Sequence, residues 1–424
     1  MLSILLIAFV VMLLLGVPIS IAMGASSVLA IVSAQTVSPE IIAQGIFKGL
    51  DSFPLIAIPF FLFAAEILTG ARISDLLFKV ALGYVGRLKG GLGYANIASV
   101  TAFSGISGSA IADVAGPGAI AIRMMHRNGY PLPYSAALTA VASIVGPLVP
   151  PSIIMILYAL VDNSISVGTL FVAGIGPAVL VVIGMLLVHA FYSRRLSVDA
   201  DARPPRAGEL ARLTARTLPA LALPVFVVVG IHGGYVTASE ASVVAVTYAL
   251  VLGFFVYRTL SLRDLFPIAL QAALASCAVL FLLATSSLFA WLLTIEQVPM
   301  VMRGLLSGVG PIAFLLMVNI LLLLVGTALE PAPAILICVP ILAPMAHALG
   351  IPPAQFAVIV ILNLTLGMLT PPVGSLLFVA STVSRVDLNT LTRASLPMFA
   401  VQLGVLALVT AVPAVSTGLV TWLR

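Results

Sequence analysis

The most constraining feature of this chain is a series of apolar runs, each long enough to cross a bilayer, joined by short polar connections. A helix of about 20 apolar residues spans the hydrocarbon core. Such runs do not alternate as the strands of a membrane barrel do. Because backbone groups in lipid need internal hydrogen bonds, the runs predict an all-α polytopic membrane protein.

Composition supports this class and excludes others. Asp, Glu, Lys and Arg make up 8% of the 424 residues, and 62% are hydrophobic. Soluble domains carry roughly 25% charged residues, so this chain cannot cover the surface of a soluble enzyme. Its basic residues lie in short loops, which excludes a nucleic-acid binder. The first run lacks the basic start and cleavage site of a signal peptide, so we interpret it as a retained helix.

Ten runs predict spans, and two others are interrupted halfway. The spans are expected at roughly 2–15, 17–34, 51–70, 134–160, 169–192, 217–232, 239–257, 267–294, 354–382 and 397–420. Small and polar residues interrupt 92–122 at Ser104-Gly-Ile-Ser-Gly-Ser109 and 312–346 at Gly326-Thr-Ala-Leu-Glu-Pro331. We expect both to form re-entrant hairpins, because irregular backbone at membrane depth is tolerated only inside protein. Two amphipathic segments, 71–90 and 295–308, precede the hairpins as interfacial arms.

The basic residues predict the orientation. All 19 Lys and Arg except Lys48, Arg303 and Arg424 fall in or beside five connections: 71–91, 123–133, 193–216, 258–266 and 383–396. Since cytoplasmic loops carry the excess of basic residues, these five are expected inside. Both termini are then outside, and the first hairpin opens inward.

The two halves of the chain resemble each other. Gly146-Pro-Leu-Val-Pro-Pro151 recurs as Gly367-Met-Leu-Thr-Pro-Pro372, 221 residues later, each before an apolar helix. Each half thus contains five spans and one re-entrant hairpin, so the second half is predicted to be inverted in the membrane. Paired interrupted segments in inverted halves indicate the substrate site of a transporter.

The interrupted segments supply groups that bind ions and acids. The proline pairs remove backbone donors and break the helix, which frees carbonyl groups at membrane depth. Such carbonyls, with hydroxyls, suit Na⁺, whereas free N–H groups suit a carboxylate. The residues concerned are Ser104, Ser107, Gly108, Ser109, Gly146, Val149 and Pro150 in the first half, and Gly326, Thr327, Ala328, Gly367, Thr370 and Pro371 in the second. The alternative is proline kinks and small-residue packing without a ligand.

Four acidic residues lie within the predicted membrane region, where such groups are usually functional. Asp113 and Glu330 follow the two hairpin tips at places that we take as corresponding. Ion coordination, proton coupling and helix capping all remain open for them. Glu240 has the spacing of a capping box, and Glu66 could pair with a basic arm residue.

The histidines and cysteines show no metal-site spacing. We expect the histidines at the membrane interface and the cysteines as buried thiols. These residues are His126, His189, His232, His347, Cys277 and Cys338.

A different function is suggested by Gly105-Ile-Ser107-Gly108, which matches the GxSG pattern of rhomboid-type intramembrane serine proteases. The serine there needs a histidine base on a neighbouring span. His189 and His232 lie near span ends, and this reading leaves the second hairpin and both proline pairs unexplained.

Several motifs together resemble the large membrane subunit of TRAP transporters (tripartite ATP-independent periplasmic transporters), in order from residue 1 to 424. They are Ser104-Gly-Ile-Ser-Gly-Ser109, Gly129-Tyr130, Ala136-Ala-Leu-Thr-Ala140, Pro150-Pro-Ser-Ile153, Gly233-Gly234, Glu240-Ala241, Glu330-Pro331 and Leu369-Thr-Pro-Pro372. The stretch Asp-Val-Ala-Gly-Pro-Gly118 departs from the pattern in being richer in proline and glycine.

The resemblance implies a bacterial inner-membrane permease that works with a small four-span membrane subunit and a soluble periplasmic binding protein. The binding protein delivers an organic acid, a carboxylate, and a Na⁺ gradient drives uptake without ATP or a cofactor. The sequence accordingly contains no GxxxxGK[ST] phosphate loop. The alternative within transport is a self-sufficient ion-coupled carboxylate or anion transporter of the same architecture.

The resemblance also implies an elevator-type division of the chain. Scaffold spans and arms would occupy 1–91 and 217–311, the transport domain 92–192 and 312–424, and a cytoplasmic linker 193–216. Na⁺ would lie between each hairpin and its facing broken helix. The first site would use Ser104, Gly108, Gly146, Val149 and Pro150, and the second Gly326, Ala328, Gly367, Thr370 and Pro371. Substrate would contact Ser107, Ser109, Asp113, Pro151, Thr327, Glu330 and Pro372.

Overall fold

A computed structural model describes residues 1–34, 38–194, 207–305, 308–371 and 373–423. The described part contains 21 α-helices. Those of the first half are α1 (Leu2–Leu14), α2 (Ile19–Ala34), α3 (Glu40–Leu50), α4 (Ala57–Gly70), α5 (Ile73–Val85), α6 (Gly91–Ser107), α7 (Ala110–Asp113), α8 (Ala119–Arg127), α9 (Leu132–Ala142), α10 (Ile153–Val161) and α11 (Val167–Ser193). Those of the second half are α12 (Ala207–His232), α13 (Ala238–Val251), α14 (Leu262–Ile295), α15 (Val298–Leu305), α16 (Pro311–Ala328), α17 (Pro331–Ala348), α18 (Pro353–Gly367), α19 (Ser375–Ser384), α20 (Leu388–Ala411) and α21 (Ala414–Trp422).

Eight helical segments in the described part are long and apolar enough to cross a membrane, and a ninth span forms if α9 and α10 are counted together. The polytopic helical class is therefore confirmed. Two predicted boundaries were wrong. The span expected at 217–232 begins at Ala207, and the last one begins at Leu388 and is divided before Pro413. Val412 is extended, as expected for a residue that precedes proline.

Both predicted helix breaks are present. The segment α9 continues as a 3-10 helix, Ser143–Leu148, and the chain bends by 44° before α10 begins. Ser152 caps α10, and its hydroxyl donates to the Pro147 carbonyl at 2.8 Å. In the second half, α18 ends at Gly367 and α19 begins at Ser375. Pro372, which lies in this second break, is outside the described residues.

Both interrupted runs fold back on themselves. The first turns at Gly108, which has a left-handed backbone (φ +59°). A Cβ there would lie 2.2 Å from the Pro151 carbonyl oxygen, so only glycine fits. The second run turns between α16 and α17, which pack against each other. Each of these two helices is long enough to cross a membrane, so the re-entrant placement stays a prediction.

The long helix α14 organises the packing outside the hairpins. At 34 residues it measures about 51 Å, longer than the hydrocarbon core of about 30 Å, so it must tilt or project. It contacts α2, α3, α4 and α17. The helix α3, which the sequence analysis missed, touches it through Gly45 and Gly49, where a Cβ would lie 2.7 Å from Leu288 and 2.5 Å from Ser287. Small residues four apart permit this close approach.

Three of the connections predicted to lie inside meet at one end of the bundle. Arg72, Arg216 and Thr259 come from different connections and line one cavity of about 260 Å³. Arg216 donates to the carbonyl of Tyr257 at 3.3 Å, and Thr259 donates to the carbonyl of Ala71 at 3.2 Å. This convergence agrees with the positive-inside assignment, which requires these connections to share a side.

His189 is not at an interface, so that expectation was wrong. It is completely buried, and its Nε2 donates to the Gly90 carbonyl at 2.8 Å. Its Nδ1 therefore accepts from the hydroxyl of Tyr134 at 2.7 Å. At Gly93 a Cβ would lie 2.1 Å from the ring, so glycine makes room for the imidazole. The side chain thus joins α11 to the base of the first hairpin.

We expect His189→Ala to lower the free energy of unfolding by about 2–4 kcal/mol, because it removes two buried hydrogen bonds and leaves a cavity. The unfolding temperature in detergent measures this change. His126→Ala, at an exposed position in α8, is the matched control and should unfold as the wild type does. Equal unfolding temperatures for both variants would contradict the buried role.

The structure also places the two cysteines and the acidic residues Glu240 and Glu66. Cys338 is buried as predicted, but Cys277 is exposed on α14, so the expectation of a buried thiol was wrong there. The capping box of Thr237 and Glu240 is confirmed, with both reciprocal hydrogen bonds present. Glu66 forms no ion pair with any residue in the described ranges.

Candidate functional site

The first hairpin holds a buried carboxylate. Asp113 is completely buried and accepts hydrogen bonds from the hydroxyls of Ser104 and Ser107. Gly146 of the broken helix faces this cluster, since a Cβ there would lie 2.7 Å from Asp113 Oδ2 and 2.9 Å from the amide nitrogen of Ala110. The hairpin and the broken helix are therefore in direct contact at the predicted place. We call this contact the first junction.

The charge of Asp113 lacks a partner. No Lys, Arg or His in the described part of the chain forms an ion pair with it. A buried ionised carboxylate is costly unless it is paired, and two hydroxyl donors offset only part of that cost. The cluster therefore needs either a cation or a proton.

Backbone oxygens next to the junction are also free. The carbonyls of Val149, Pro150 and Pro151 accept no hydrogen bond from the described residues. Buried carbonyls are nearly always paired, but here the chain is extended at Val149 and Ser152, between the 3-10 helix and α10, so no helical N–H pairs these three. Unpaired carbonyls beside a carboxylate and two hydroxyls form an oxygen-rich environment that suits a hard cation.

The second junction is built differently. A Cβ on Gly367 would lie 2.5 Å from the Cα of Gly326, so the two backbones touch. Thr370 donates weakly to the Leu366 carbonyl at 3.4 Å, and Pro371 and Ala328 are exposed. The expected correspondence of Asp113 with Glu330 was wrong. Glu330 is the N-cap of α17, as Ser109 is the N-cap of α7.

The two junctions are therefore chemically unequal. Four residues after Ser109 comes Asp113, whereas four residues after Glu330 comes Ala334. The equivalent positions are the starts of α7 at Ala110 and of α17 at Pro331, which are 221 residues apart. The second junction therefore has Ala334 in the position that Asp113 occupies in the first hairpin.

A cavity of about 190 Å³, the hairpin cavity, lies between the two hairpin tips. Ser109 and Glu330, two of the residues that the resemblance assigns to the substrate, line this cavity. The wall also contains Gly108, Ala110, Ile111, Pro147, Ile153, Ile154, Leu157, Val279, Pro331, Ala332 and Met368. Ligand sites of this kind combine mostly apolar walls with a few polar groups.

Four other predicted substrate residues lie elsewhere. Ser107, Asp113 and Pro151 belong to the first junction. Thr327 is partly exposed and donates to the Leu324 carbonyl at 2.7 Å instead of facing the hairpin cavity. Pro372 is outside the described residues.

Sequence reasoning missed a second cavity and the wall that α14 provides. This cavity, about 320 Å³, is lined by Lys48 and Gly49 of α3, by Leu160 and Val161 of α10, by residues of α14 and α17, and by Ser52 and Leu55. We call it the Lys48 cavity. The available signal was the Gly45-x-x-x-Gly49 spacing, which indicates close helix packing.

The geometry does not support a protease at Ser107. The hydroxyl donates to Asp113, and no histidine in the described ranges lies within hydrogen-bond reach of it. His189 is bonded to Tyr134 and Gly90. A serine nucleophile needs an adjacent base, so this pattern match lacks its chemistry.

The sequence of this chain is similar to those of known proteins over most of its length. Residues 6–415 match the family described as tripartite ATP-independent periplasmic transporter, DctM component. The chain belongs to this family. It is thus a large permease component of TRAP type, a multi-pass membrane transporter.

Individual relatives of this TRAP permease cover most of its length. It is 37% identical over 373 residues to the sialic acid large permease SiaM of Vibrio cholerae, covering 88% of this chain and 87% of that protein. It is 36% identical over 403 residues to the C4-dicarboxylate large permease DctM of Pseudomonas aeruginosa, covering 95% and 94%. The isethionate permease DctMQ of Oleidesulfovibrio alaskensis is 36% identical over 409 residues. This match covers 96% of the chain but only 64% of that longer protein.

The fold of this TRAP permease is also found in a solved structure. The YdaH transporter of Alcanivorax borkumensis aligns with a TM-score of 0.59 over 84% of this chain and 85% of that one. The sequence identity is 18%, so the likeness concerns the fold alone.

Proposed function

We propose that this chain is the permease subunit of a Na⁺-coupled importer of small organic acids, supplied by a periplasmic binding protein. The observation that carries the proposal is the unpaired buried Asp113 at the first junction, held by Ser104 and Ser107 beside free carbonyls. Na⁺ bound there neutralises the carboxylate and uses the oxygen ligands that the broken helix exposes. A proton is the competing solution for the same charge.

Coupling follows from one short turn. Residues 107–113 contribute Ser107 and Asp113 to the first junction and Ser109 to the wall of the hairpin cavity. A cation that fixes the junction therefore also fixes the substrate site. Substrate then binds more tightly to the Na⁺-bound form, and by reciprocity Na⁺ binds more tightly when substrate is present.

The substrate class rests on the cavity and on the relatives. A volume of about 190 Å³ is below the usual range for drug-sized ligands, so a small acid is the right scale. The names of the relatives mention isethionate, sialic acid and C4-dicarboxylate, all of which are acids. The Ser109 hydroxyl is the polar group of the first hairpin that we assign to the substrate.

We further propose an inverted repeat with elevator motion. Three pairs of helices begin 221 residues apart: Ala110 with Pro331, Leu132 with Pro353, and Val167 with Leu388. Gln402 donates to the Val181 carbonyl at 3.1 Å, a contact between residues with the same separation of 221. The scaffold would comprise 1–91 and 217–311, and the transport domain 92–192 and 312–424. The segment 193–216 would be a cytoplasmic linker between the two halves, and both termini would be periplasmic. The chain would form a complex with the small four-span subunit in the inner membrane.

Uptake into proteoliposomes tests the tripartite proposal. The chain is reconstituted with its small subunit, and the binding protein is added outside with a labelled acid that it retains. We expect uptake only with both an inward Na⁺ gradient and the binding protein. Uptake without the binding protein would favour the self-sufficient carrier. Uptake driven by a pH gradient alone would show that a proton, and not Na⁺, is the coupling ion at Asp113.

A further inference from the structure

The hairpin cavity and the Lys48 cavity share three walls. The helices α10, α14 and α17 line both of them. On α10 the lining passes from Leu157 to Leu160, and on α17 from Ala332 to Leu336. Each step is about one helical turn in the same direction along the bundle. The two cavities therefore lie next to each other along the same three helices, as consecutive stages of one route would.

The Lys48 cavity lies toward the side opposite the basic connections. Its α10 residues are at the end of that helix, and Ser286, Ser287 and Ala290 are near the end of α14. The positive-inside assignment places both of these helix ends outside. The hairpin cavity is then the deeper stage, and the Lys48 cavity is the stage nearer the periplasm.

Lys48 is the single cationic residue that lines either cavity in the described part of the chain. It has no ion-pair or hydrogen-bond partner among the described residues. The hydroxyls of Ser52 and Ser287, in the same wall, also lack partners there, while Ser286 donates to the Leu283 carbonyl at 2.9 Å. The Lys48 cavity thus offers one free positive charge and free hydroxyl donors.

Neighbouring acids do not neutralise this charge. Asp162 follows Val161 at the cavity wall, but it pairs with His347 at 3.4 Å and accepts from Tyr158 at 3.2 Å. None of the described residues that line the Lys48 cavity is acidic. The Gly49 contact with Ser287 fixes α3 against α14 and so fixes where Lys48 stands.

We propose that Lys48 forms a first, transient anion site, where the acid group of the substrate binds before it moves to the hairpin cavity. The inference rests on the proposed function, because it takes an organic anion as the substrate. Water and salt weaken the attraction of one exposed charge, so the site binds its ligand weakly. Weak binding suits a substrate that must leave this site for the hairpin cavity. Among the described residues that line the two cavities, Lys48 is the one that can neutralise the charge of an acid.

Steady-state uptake in the complete reconstituted system tests this site. We expect Lys48→Gln to raise the KM for the acid roughly three- to tenfold at saturating Na⁺, with kcat nearly unchanged, because it removes one screened attraction. Lys48→Arg should stay near the wild type, and Lys48→Glu should be worse than Lys48→Gln. Lys79→Gln, which removes a charge at the opposite end of the bundle, is the matched control and should behave as the wild type.

Chemical restoration of the charge separates electrostatics from misfolding. In a background with Cys277→Ser and Cys338→Ala, Lys48→Cys is treated from outside with aminoethyl or sulfonatoethyl methanethiosulfonate. Each forms a mixed disulfide with the thiolate and releases methanesulfinate. The cationic adduct should restore the low KM, and the anionic adduct should raise KM further. Equal effects of both reagents would overturn the proposal.

Three further outcomes are distinguishable. If the wild type takes up no acid, the proposed function itself fails. If the wild type transports and Lys48→Gln has the wild-type KM, only the Lys48 site fails. If Lys48→Gln weakens docking of the binding protein as much as it slows uptake, Lys48 belongs to a protein interface and the anion site is overturned.

Discussion

Replacement of Asp113 by asparagine is expected to reduce Na⁺-driven uptake about a hundredfold or more. The variant keeps the size of the side chain but removes the one carboxylate in the described part of the first junction. Loss of one partner of a buried ionic contact typically costs about 3–5 kcal/mol, and each 1.4 kcal/mol is a factor of ten. Initial uptake rates across a range of Na⁺ concentrations measure the effect.

Asp75→Asn is the matched control for this prediction, because Asp75 lines the cavity at the basic end of the bundle. It should retain the rate and Na⁺ dependence of the wild type. An Asp113→Asn variant that still needs Na⁺ with unchanged half-saturation would contradict the assignment of the ion to this carboxylate.

Addition of a single methyl group at Gly146 is expected to have the next largest effect. In Gly146→Ala the new Cβ would lie 2.7 Å from Asp113 Oδ2, 2.9 Å from the Ala110 nitrogen and 3.0 Å from the carbonyl carbon of Ser109. The hairpin must then move away from the broken helix. Overpacking of this kind costs about 1–3 kcal/mol, so we expect Na⁺ affinity to fall roughly ten- to a hundredfold.

The matched control is Gly404→Ala in α20, where nothing lies within 4 Å of the added Cβ. Both variants should insert in similar amounts, so a difference in Na⁺-dependent uptake reports on the first junction. Equal uptake by the two variants would show that the hairpin does not need its close contact with Gly146.

Local signals in the sequence predicted the irregular parts of this fold. Proline pairs at 150–151 and 371–372 break helices wherever they occur, and small residues at Gly108 permit a left-handed turn. Such features can be recognised from the local sequence, without knowledge of which residues pack against them in the fold. The contact of Gly146 with the Asp113 cluster followed from pairing each break with a hairpin.

Features that depend on distant partners were not predictable in this way. His189 is buried because Tyr134 and Gly90, 55 and 99 residues away, bind its two nitrogens. Lys48 lines a cavity only because α3 packs on α14 beside α10 and α17, and these contacts join distant parts of the chain. The equivalence of Glu330 with Ser109 follows from the starts of α7 and α17, which the sequence pattern alone does not fix.

Binding of Na⁺ at the first junction can be measured on the purified chain by a stability titration. The unfolding temperature of the purified chain is followed as NaCl replaces KCl at constant ionic strength. A ligand that binds only the folded state adds about 2.7 kcal/mol of stability at 100 times its Kd. We predict that Na⁺ raises the unfolding temperature of the wild type, and that Asp113→Asn and Ser107→Ala lose most of this rise. Identical curves in Na⁺ and K⁺, or an undiminished rise in both variants, would contradict Na⁺ binding at this junction.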